Sequence, residues 1–311
     1  MKVLLAHPAI ELNKGNERGV NSMFIACQEG HKEVVSLLLA DPRVDPNKVN
    51  KAGTTPFFVA WEIGHKEVVS LLLADPRIDP NKADDEGFTS SFMACHNGHK
   101  EVVSLLLADP RIDPTKSNDL GATPFYSACK SGHGDVFSLL LADPRVDPNK
   151  PKNDNTTPFC IACYSGRQDI VSRLLVDSNV DVSLLDDDGH SPFYWACSMG
   201  KTEVVSILLA DPRIDPNQML GGKGDSPFLT ACQNNHLQVV SLLLADPRID
   251  PNYPSEDGFT AFSDVVCRGR KDVVALLLAD PRVDPCKRQA MEQHLFTWPA
   301  TKVTRKWFHC Y

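Results

Sequence analysis

Cysteine and histidine are the residues of this chain whose spacing first suggests chemistry. Cys160-Ile161-Ala162-Cys163 reads C-x-x-C, the spacing that suits zinc ligation or thiol–disulfide exchange. Zinc would require a second ligand pair, and redox work a helix start that lowers the thiol pKa. Cys95, His96 and His99 form a second grouping with metal-ligand side chains. Another histidine follows glycine at regular distances, at His31, His65, His99, His133 and His236, but Arg167, Lys201 and Arg270 hold the same place in other copies. Arginine is a permanent donor with no acceptor, so it cannot replace a metal ligand although it can replace a turn hydrogen-bond donor. Gly221-Gly222-Lys223-Gly224 has the composition of a phosphate loop without its G-x-x-x-x-G-K-[ST] order. Nothing has the pattern of a Ser-His-Asp set or a paired-carboxylate site.

These residues recur because the chain recurs. The phrase LLLADPR[VI]DPN places aspartates at Asp41, Asp75, Asp109, Asp143, Asp177, Asp211, Asp246 and Asp280, spaced by 34 residues except for one step of 35 between Asp211 and Asp246. Asp177 sits in a degenerate copy, RLLVDSNVDV, and residues 1–14 carry the tail of one more copy. A period of this size predicts stacked supersecondary units instead of the two domains that 311 residues would otherwise suggest. The reading is a partial repeat over 1–14, eight repeats up to 285, and a C-terminal tail over 286–311.

Repeat 2 shows how one unit forms. Thr55 is a side-chain N-cap and Pro56 takes the first helical position, where a missing N–H costs nothing. The apolar run Phe57 to Trp61 predicts a short helix closed by Gly64. Across copies the closing residue is glycine except for Asn235, and the turn before the cap is glycine except for Asn155; both positions predict positive φ. A second helix runs from about Glu67 to Ala74, and Pro76 ends it at Asp75. The connector that follows is rich in proline and asparagine. Neither helix can bury its apolar face alone, so stacking must supply the core. The predicted fold class is an all-α repeat solenoid of stacked helix-turn-helix units with hairpin-like connecting loops.

The stretch Gly53-Thr54-Thr55-Pro56-Phe57-Phe58-Val59-Ala60 and its continuation Gly64-His65-Lys66-Glu67-Val68-Val69 resembles the ankyrin repeat. The resemblance recurs over roughly residues 1–285, most fully again at Gly121 to His133 and Gly224 to His236. Three departures stand out. Phe58, Tyr126, Cys160, Tyr194 or Leu229 replaces the family's inner-helix histidine, the loop is one residue longer, and repeats 1, 3 and 8 lose the Thr-Pro pair. Cys27, Cys95, Cys129, Cys163, Cys197 and Cys232 stand where the family has alanine, which implies small buried thiols acting as core. Helices ~8–10 Å apart also exceed the ~7 Å Cα limit for a disulfide. The resemblance further implies hydroxylation of loop asparagines such as Asn47, Asn81 and Asn149, although Pro46 and Pro80 replace the usual preceding residue.

Composition narrows the function classes. With 32 basic and 40 acidic residues the formal charge is −8, which lacks the basic footprint of a nucleic-acid binder. No apolar run approaches the ~20 residues of a membrane span, and the N-terminus lacks the form of a signal peptide. The expectation is a non-enzymatic, monomeric protein of the cytoplasm, with the nucleus as an alternative, needing no cofactor or metal and binding another protein. The resemblance implies a concave partner face. It would carry Val59, Glu62 and Ile63, then Met93, His96 and Asn97, then Ser127 and Lys130, followed by Gln233 and Asn234. Ile161, Tyr164, Trp195 and Met199 would form an apolar patch on it, flanked by the loop-tip cluster Asp186-Asp187-Asp188, and a second acidic loop-tip cluster stands at Asp84-Asp85-Glu86. The alternative for Trp195 and Tyr164 is that they cover core against adjacent helices. A structural spacer or the inhibitory arm of a larger protein is the second reading, and a metal or redox site at Cys160 and Cys163 the third. The tail holds Lys287, Arg288, Lys302, Arg305 and Lys306 against Glu292, and reads as a capping helix or a basic-aromatic contact peptide.

Overall fold

The computed structural model describes residues 10–218, 225–255 and 258–286. The capping-helix expectation for the tail, the Gly221 to Gly224 loop and the first part of the partial repeat lie outside these residues. Among the described residues there are sixteen helices and no strand, in eight consecutive pairs. They are α1 (Ser22–Gln28) with α2 (Lys32–Leu39), α3 (Pro56–Ile63) with α4 (Lys66–Leu73), α5 (Ser90–Asn97) with α6 (Lys100–Ala108) and α7 (Pro124–Ser131) with α8 (Gly134–Leu141). The array continues through α9 (Pro158–Ser165) with α10 (Gln168–Val176), α11 (Pro192–Ser198) with α12 (Thr202–Leu209), α13 (Pro227–Gln233) with α14 (Leu237–Ala245) and α15 (Ala261–Cys267) with α16 (Lys271–Ala279). First helices pack on first helices of the next unit, and second helices on second helices.

Helix starts follow the sequence closely. Thr55 Oγ1 accepts the N–H of Phe58 at 3.0 Å, and every first helix has an equivalent cap. Repeats 1, 3 and 8 keep it without the Thr-Pro pair, through Asn21, Thr89 and Thr260. Such a cap contributes about 1 kcal/mol, so losing the proline does not lose the helix. The closing and pre-cap turns have positive φ at every described copy, including Asn155 (φ 56°) and Asn235 (φ 63°). At Gly64, φ is 90° and an added Cβ would lie 2.8 Å from Nδ1 of His99, so close stacking as well as backbone conformation requires glycine.

The core is one continuous cluster. Cys27, Cys95, Cys129, Cys163, Cys197 and Cys232 are all buried in it, and Trp61 takes the same position in repeat 2, edge-on to Phe57 at 5.2 Å. Burial pushes the Cys27 thiol up to about 12 and raises the other five as well.

The Asp-Pro-Arg motif does more than line a solvated surface. Each arginine pairs with the aspartate two residues earlier, as in Arg77–Asp75 at 2.6 Å. Six of them also donate Nη2 to the last carbonyl of the preceding unit's second helix or its neighbour in the final turn. Arg77 reaches Leu39 at 2.7 Å, Arg111 reaches Leu73 at 2.6 Å and Arg145 reaches Leu107 at 3.0 Å. Arg213 reaches Leu175 at 2.6 Å, Arg248 reaches Leu209 at 2.7 Å, and Arg282 reaches Leu244. These carbonyls have no partner inside their own helix, so each arginine satisfies an orphan acceptor at the negative end of a helix dipole. Loop asparagines form a parallel ladder. Asn47 donates to Arg77 O at 2.6 Å and accepts from Asp79 N at 3.0 Å, and Asn13, Asn81, Asn149 and Asn252 do the same one unit apart.

Candidate functional site

The candidate site is the face shared by the first helices and the loop tips. One side-chain position runs along it through Gln28, Glu62, His96, Lys130, Tyr164, Ser198 and Gln233, one residue per repeat. This row, together with the positions of Phe58, Val59 and Ile63 in each first helix, is where one unit differs chemically from the next.

Over repeats 2 to 4 the face contains a hollow of about 450 Å³. Its walls include Phe58, Phe88, Phe92, Met93, Leu120 and Tyr126, and its polar rim carries Glu62, Asp84, His96, Lys130 and Lys152. Phe58, Phe92 and Tyr126 occupy the inner-helix position where the family has histidine. Phe88 and Phe92 lie 5.0 Å apart in a tilted arrangement. The loop-tip acid Asp84 is committed locally: its Oδ1 accepts the N–H groups of Glu86 (3.0 Å) and Phe88 (2.9 Å). Asp85 and Glu86 project from the same tip and are exposed. His96 Nδ1 lies 3.1 Å from the Ser131 hydroxyl and 3.4 Å from that of Ser127. Partial burial, then the charges of Lys130 and His133, hold His96 below the ordinary histidine pKa, so its neutral form is favoured.

Over repeats 5 and 6 the same face is filled. Trp195 donates Nε1–H to Asp186 Oδ2 at 2.7 Å, while Asp186 Oδ1 accepts the His190 N–H at 2.8 Å. Tyr164 meets Trp195 edge-on at 5.4 Å, His190 stacks on Tyr194 at 4.2 Å, and both His190 and Tyr194 pack edge-on to Trp195. Asp187 accepts from Asn155 Nδ2 at 2.6 Å, and Asp188 is exposed. Tyr164 is 40% exposed, while Trp195 and Met199 are half-buried.

The expected apolar patch therefore needs correction at Ile161, which is only 7% exposed. Val59 and Ser127, expected on the face, are likewise buried, although Ser127 still lines the hollow. They share the position after the capping tetrapeptide, which is not buried in every copy, since Met93 and Trp195 there are half-buried. Ile63 is exposed, and Gln233 and Asn234 sit at the far end of the row. Asn97 and Asn234 are both tied to the preceding unit, donating to Glu62 O at 2.8 Å and Ser198 O at 3.0 Å. His190, Phe88 and Phe92 lie on the face without having been singled out, and Tyr194, noted only as a replacement for the family's histidine, packs there as well. Their signal was the change of residue type at the pre-cap and inner-helix positions, where aromatics replace small or polar residues.

The chemistry-bearing groups of the sequence have structural tasks. His65, His99, His133 and His236 place Nε2 within 2.8–2.9 Å of a carbonyl at the end of the preceding first helix, and Arg167 donates Nε to Lys130 O at 2.9 Å. Cys95, His96 and His99 are thus engaged separately, in the core, with serines and with Glu62 O. Cys160 and Cys163 are both buried, and burial foremost raises both thiols, which opposes the thiolate that zinc or disulfide exchange would use. Among the described residues no group of three His, Cys, Asp or Glu side chains could hold a metal ion, and no helix is long and apolar enough to cross a membrane.

Comparison with known families agrees with this geometry. The model for ankyrin repeats (3 copies) matches residues 1–84, 76–152, 128–220 and 212–289. The chain belongs to the ankyrin-repeat family, whose members are in general protein-interaction modules and typically not enzymes. No curated protein matches it.

Proposed function

We propose that this chain is a non-enzymatic interaction scaffold that holds a protein partner against its first-helix face and loop tips. The observation that carries the reading is the contrast between the two sides of each unit. The Asp-Pro-Arg and asparagine ladders repeat from unit to unit and bind the array to itself. The opposite face changes residue by residue and holds an aromatic-walled hollow of about 450 Å³. A stack fixed by its own ladders presents that face without further ordering, which lowers the entropic cost of association. The partner binds as a folded surface or segment across several repeats, and the array acts as a monomer in the cytoplasm or nucleus. The asparagines named for hydroxylation hold two inter-repeat bonds each, so modification there would act on the stack before it acted on a partner.

Affinity capture from cell lysate tests the proposal, comparing the wild type with a Trp195→Ala/Tyr164→Ala variant and with a Glu62→Ala/Lys130→Ala variant, each checked for helicity. The expected result is a retained protein that either variant weakens and whose cross-links fall on first-helix and loop-tip residues. Cross-links confined to the Asp-Pro-Arg side, or no retained protein at all, would overturn it in favour of a spacer or inhibitory arm.

A further inference from the structure

We infer that the hollow of repeats 2 to 4 selects an extended partner segment by three features: a large apolar side chain at its middle, a basic residue beside Glu62, and an acidic residue beside Lys130. The inference deepens the interaction-scaffold reading and rests on it.

Size and lining set the central residue. A cavity of ~150 Å³ lined by apolar side chains already holds benzene. This hollow is about 450 Å³, and Phe58, Phe88, Phe92 and Tyr126 surround it. Met93 lies among them, and an unbranched thioether can adapt to a ring or a branched aliphatic group. Burying a large apolar side chain there removes its surface from water, which anchors a short segment.

Charge sets the two ends. Of the five ionisable groups on the rim, two are already spent: Asp84 on loop N–H groups, and Lys152 on Asp154 at 2.7 Å. His96 is held toward its neutral form. That leaves Glu62 and Lys130, whose carboxylate and ammonium have no hydrogen-bond or ion-pair partner among the described residues. They occupy one register position in repeats two apart, on opposite sides of His96. Helices stack at ~8–10 Å, so the two charges stand roughly 16–20 Å apart. An extended chain at ~3.3 Å per residue spans that interval with about five or six residues. A segment of opposite polarity would place like charges together at both ends, which gives the face a means of rejecting wrong partners.

The experiment is a selection of short random peptides displayed on phage against the full chain, with fluorescence titration of the enriched peptides. The expected consensus is a basic and an acidic residue about five or six positions apart with a bulky apolar residue between them. Met93→Trp, which places an indole in the hollow, should weaken those peptides by about tenfold or more. The double exchange Glu62→Lys/Lys130→Glu should select the same apolar residue with its flanking charges reversed. A consensus lacking the charge pair, or one unchanged by the exchange, would overturn the inference. Peptides that depend on Trp195 and Tyr164 and ignore Met93→Trp would overturn it too, while leaving the scaffold reading intact. An array that enriches no peptide and captures no protein from lysate would sink both.

Discussion

Repeats 2 to 4 and repeats 5 to 6 carry the same backbone and opposite solutions at their inner face. In the first region the position after the capping tetrapeptide holds Val59, Met93 and Ser127, and space remains in front of the aromatic wall. In the second it holds Ile161 and Trp195, and the indole packs on Tyr164, Tyr194 and His190 and is hydrogen-bonded to Asp186. Most scaffold positions keep their residue types between the two regions, with repeat 5 the main departure, so binding specificity can vary along the array without rebuilding the stack. Only nearest-neighbour contacts link the two regions.

The comparison breaks most visibly if the plug is removed. Trp195→Ala should open a second hollow and cost about 3 kcal/mol, toward the lower end for a tryptophan because the side chain is half-buried. Urea unfolding would show the loss, and protection from amide exchange should fall in repeats 5 and 6 while repeats 2 to 4 keep theirs. The reciprocal change, Met93→Trp, adds an indole where there is already room and should alter stability by less than about 1.5 kcal/mol. Equal and large losses from both substitutions would mean that the hollow is not accessible space. Asp186→Ala comes next, at about 2 kcal/mol, because it leaves the Trp195 Nε1–H and the His190 N–H without acceptors. Asp186→Asn keeps an oxygen for one of them and should lose less than half as much in the same titration.

Residue spacing made the fold legible because each unit announces its own boundaries. Caps, closing glycines, and the asparagines that replace glycine at positive φ all fell where the repeat placed them. The inner face was legible only in part. Glu62, His96 and Lys130 were marked by their variability, and all three reach the hollow. Ile161 was expected on the face but lies in the core, because the pattern of one unit does not show what the neighbouring units bury. Phe58 and Tyr126 were visible as replacements for a histidine, but whether a replacement fills space or walls it depends on its neighbours one unit away. The role of the arginines was hidden for the same reason: Asp-Pro-Arg reads as a local ion pair, and the carbonyl it caps lies 38 residues earlier in the case of Arg77.

That ladder also separates the two regions, because repeat 5 lacks a rung. Asn179 stands where the other units have arginine, next to Ser178 in place of proline. Arg173 provides a different tie, donating to Gly134 O at 3.1 Å and lying over the Phe137 ring at 5.5 Å. Arg145→Ala should therefore cost about 1 kcal/mol through the lost bonds to Leu107 O and Ile112 O. Asn179→Arg, which restores the missing rung, should raise stability by about 0.5–1 kcal/mol. Thermal unfolding of the two single variants and their combination would check the sign. A loss from Asn179→Arg would show that repeat 5 has settled on a geometry incompatible with the ladder.

The smallest expected effect is a pH dependence confined to the hollow. His96 is held below its ordinary pKa by burial first and by Lys130 and His133 second, so the folded protein binds its proton less readily than the unfolded chain does. The stabilisation from neutral His96 is therefore fully present above about pH 6.5 and is lost as pH falls from there through the folded-state value. Repeats 5 and 6 have no histidine at this row position, only Tyr164 and Ser198. Amide-exchange protection of α5 and α7 should consequently decline between about pH 6.5 and 5 while that of α9 and α11 declines less. His96→Gln should flatten the difference, since it keeps a polar contact for the Ser131 hydroxyl without a titrating group. The acid-linked loss from the Asp-Pro-Arg pairs lies lower. Their aspartates titrate below the usual carboxylate range, chiefly through hydrogen bonds from their arginines, so the stability they contribute is present above about pH 4 and goes only as pH falls below it. A decline that begins near neutrality and is equal in both regions would place the responsible histidine elsewhere and remove His96 as the source.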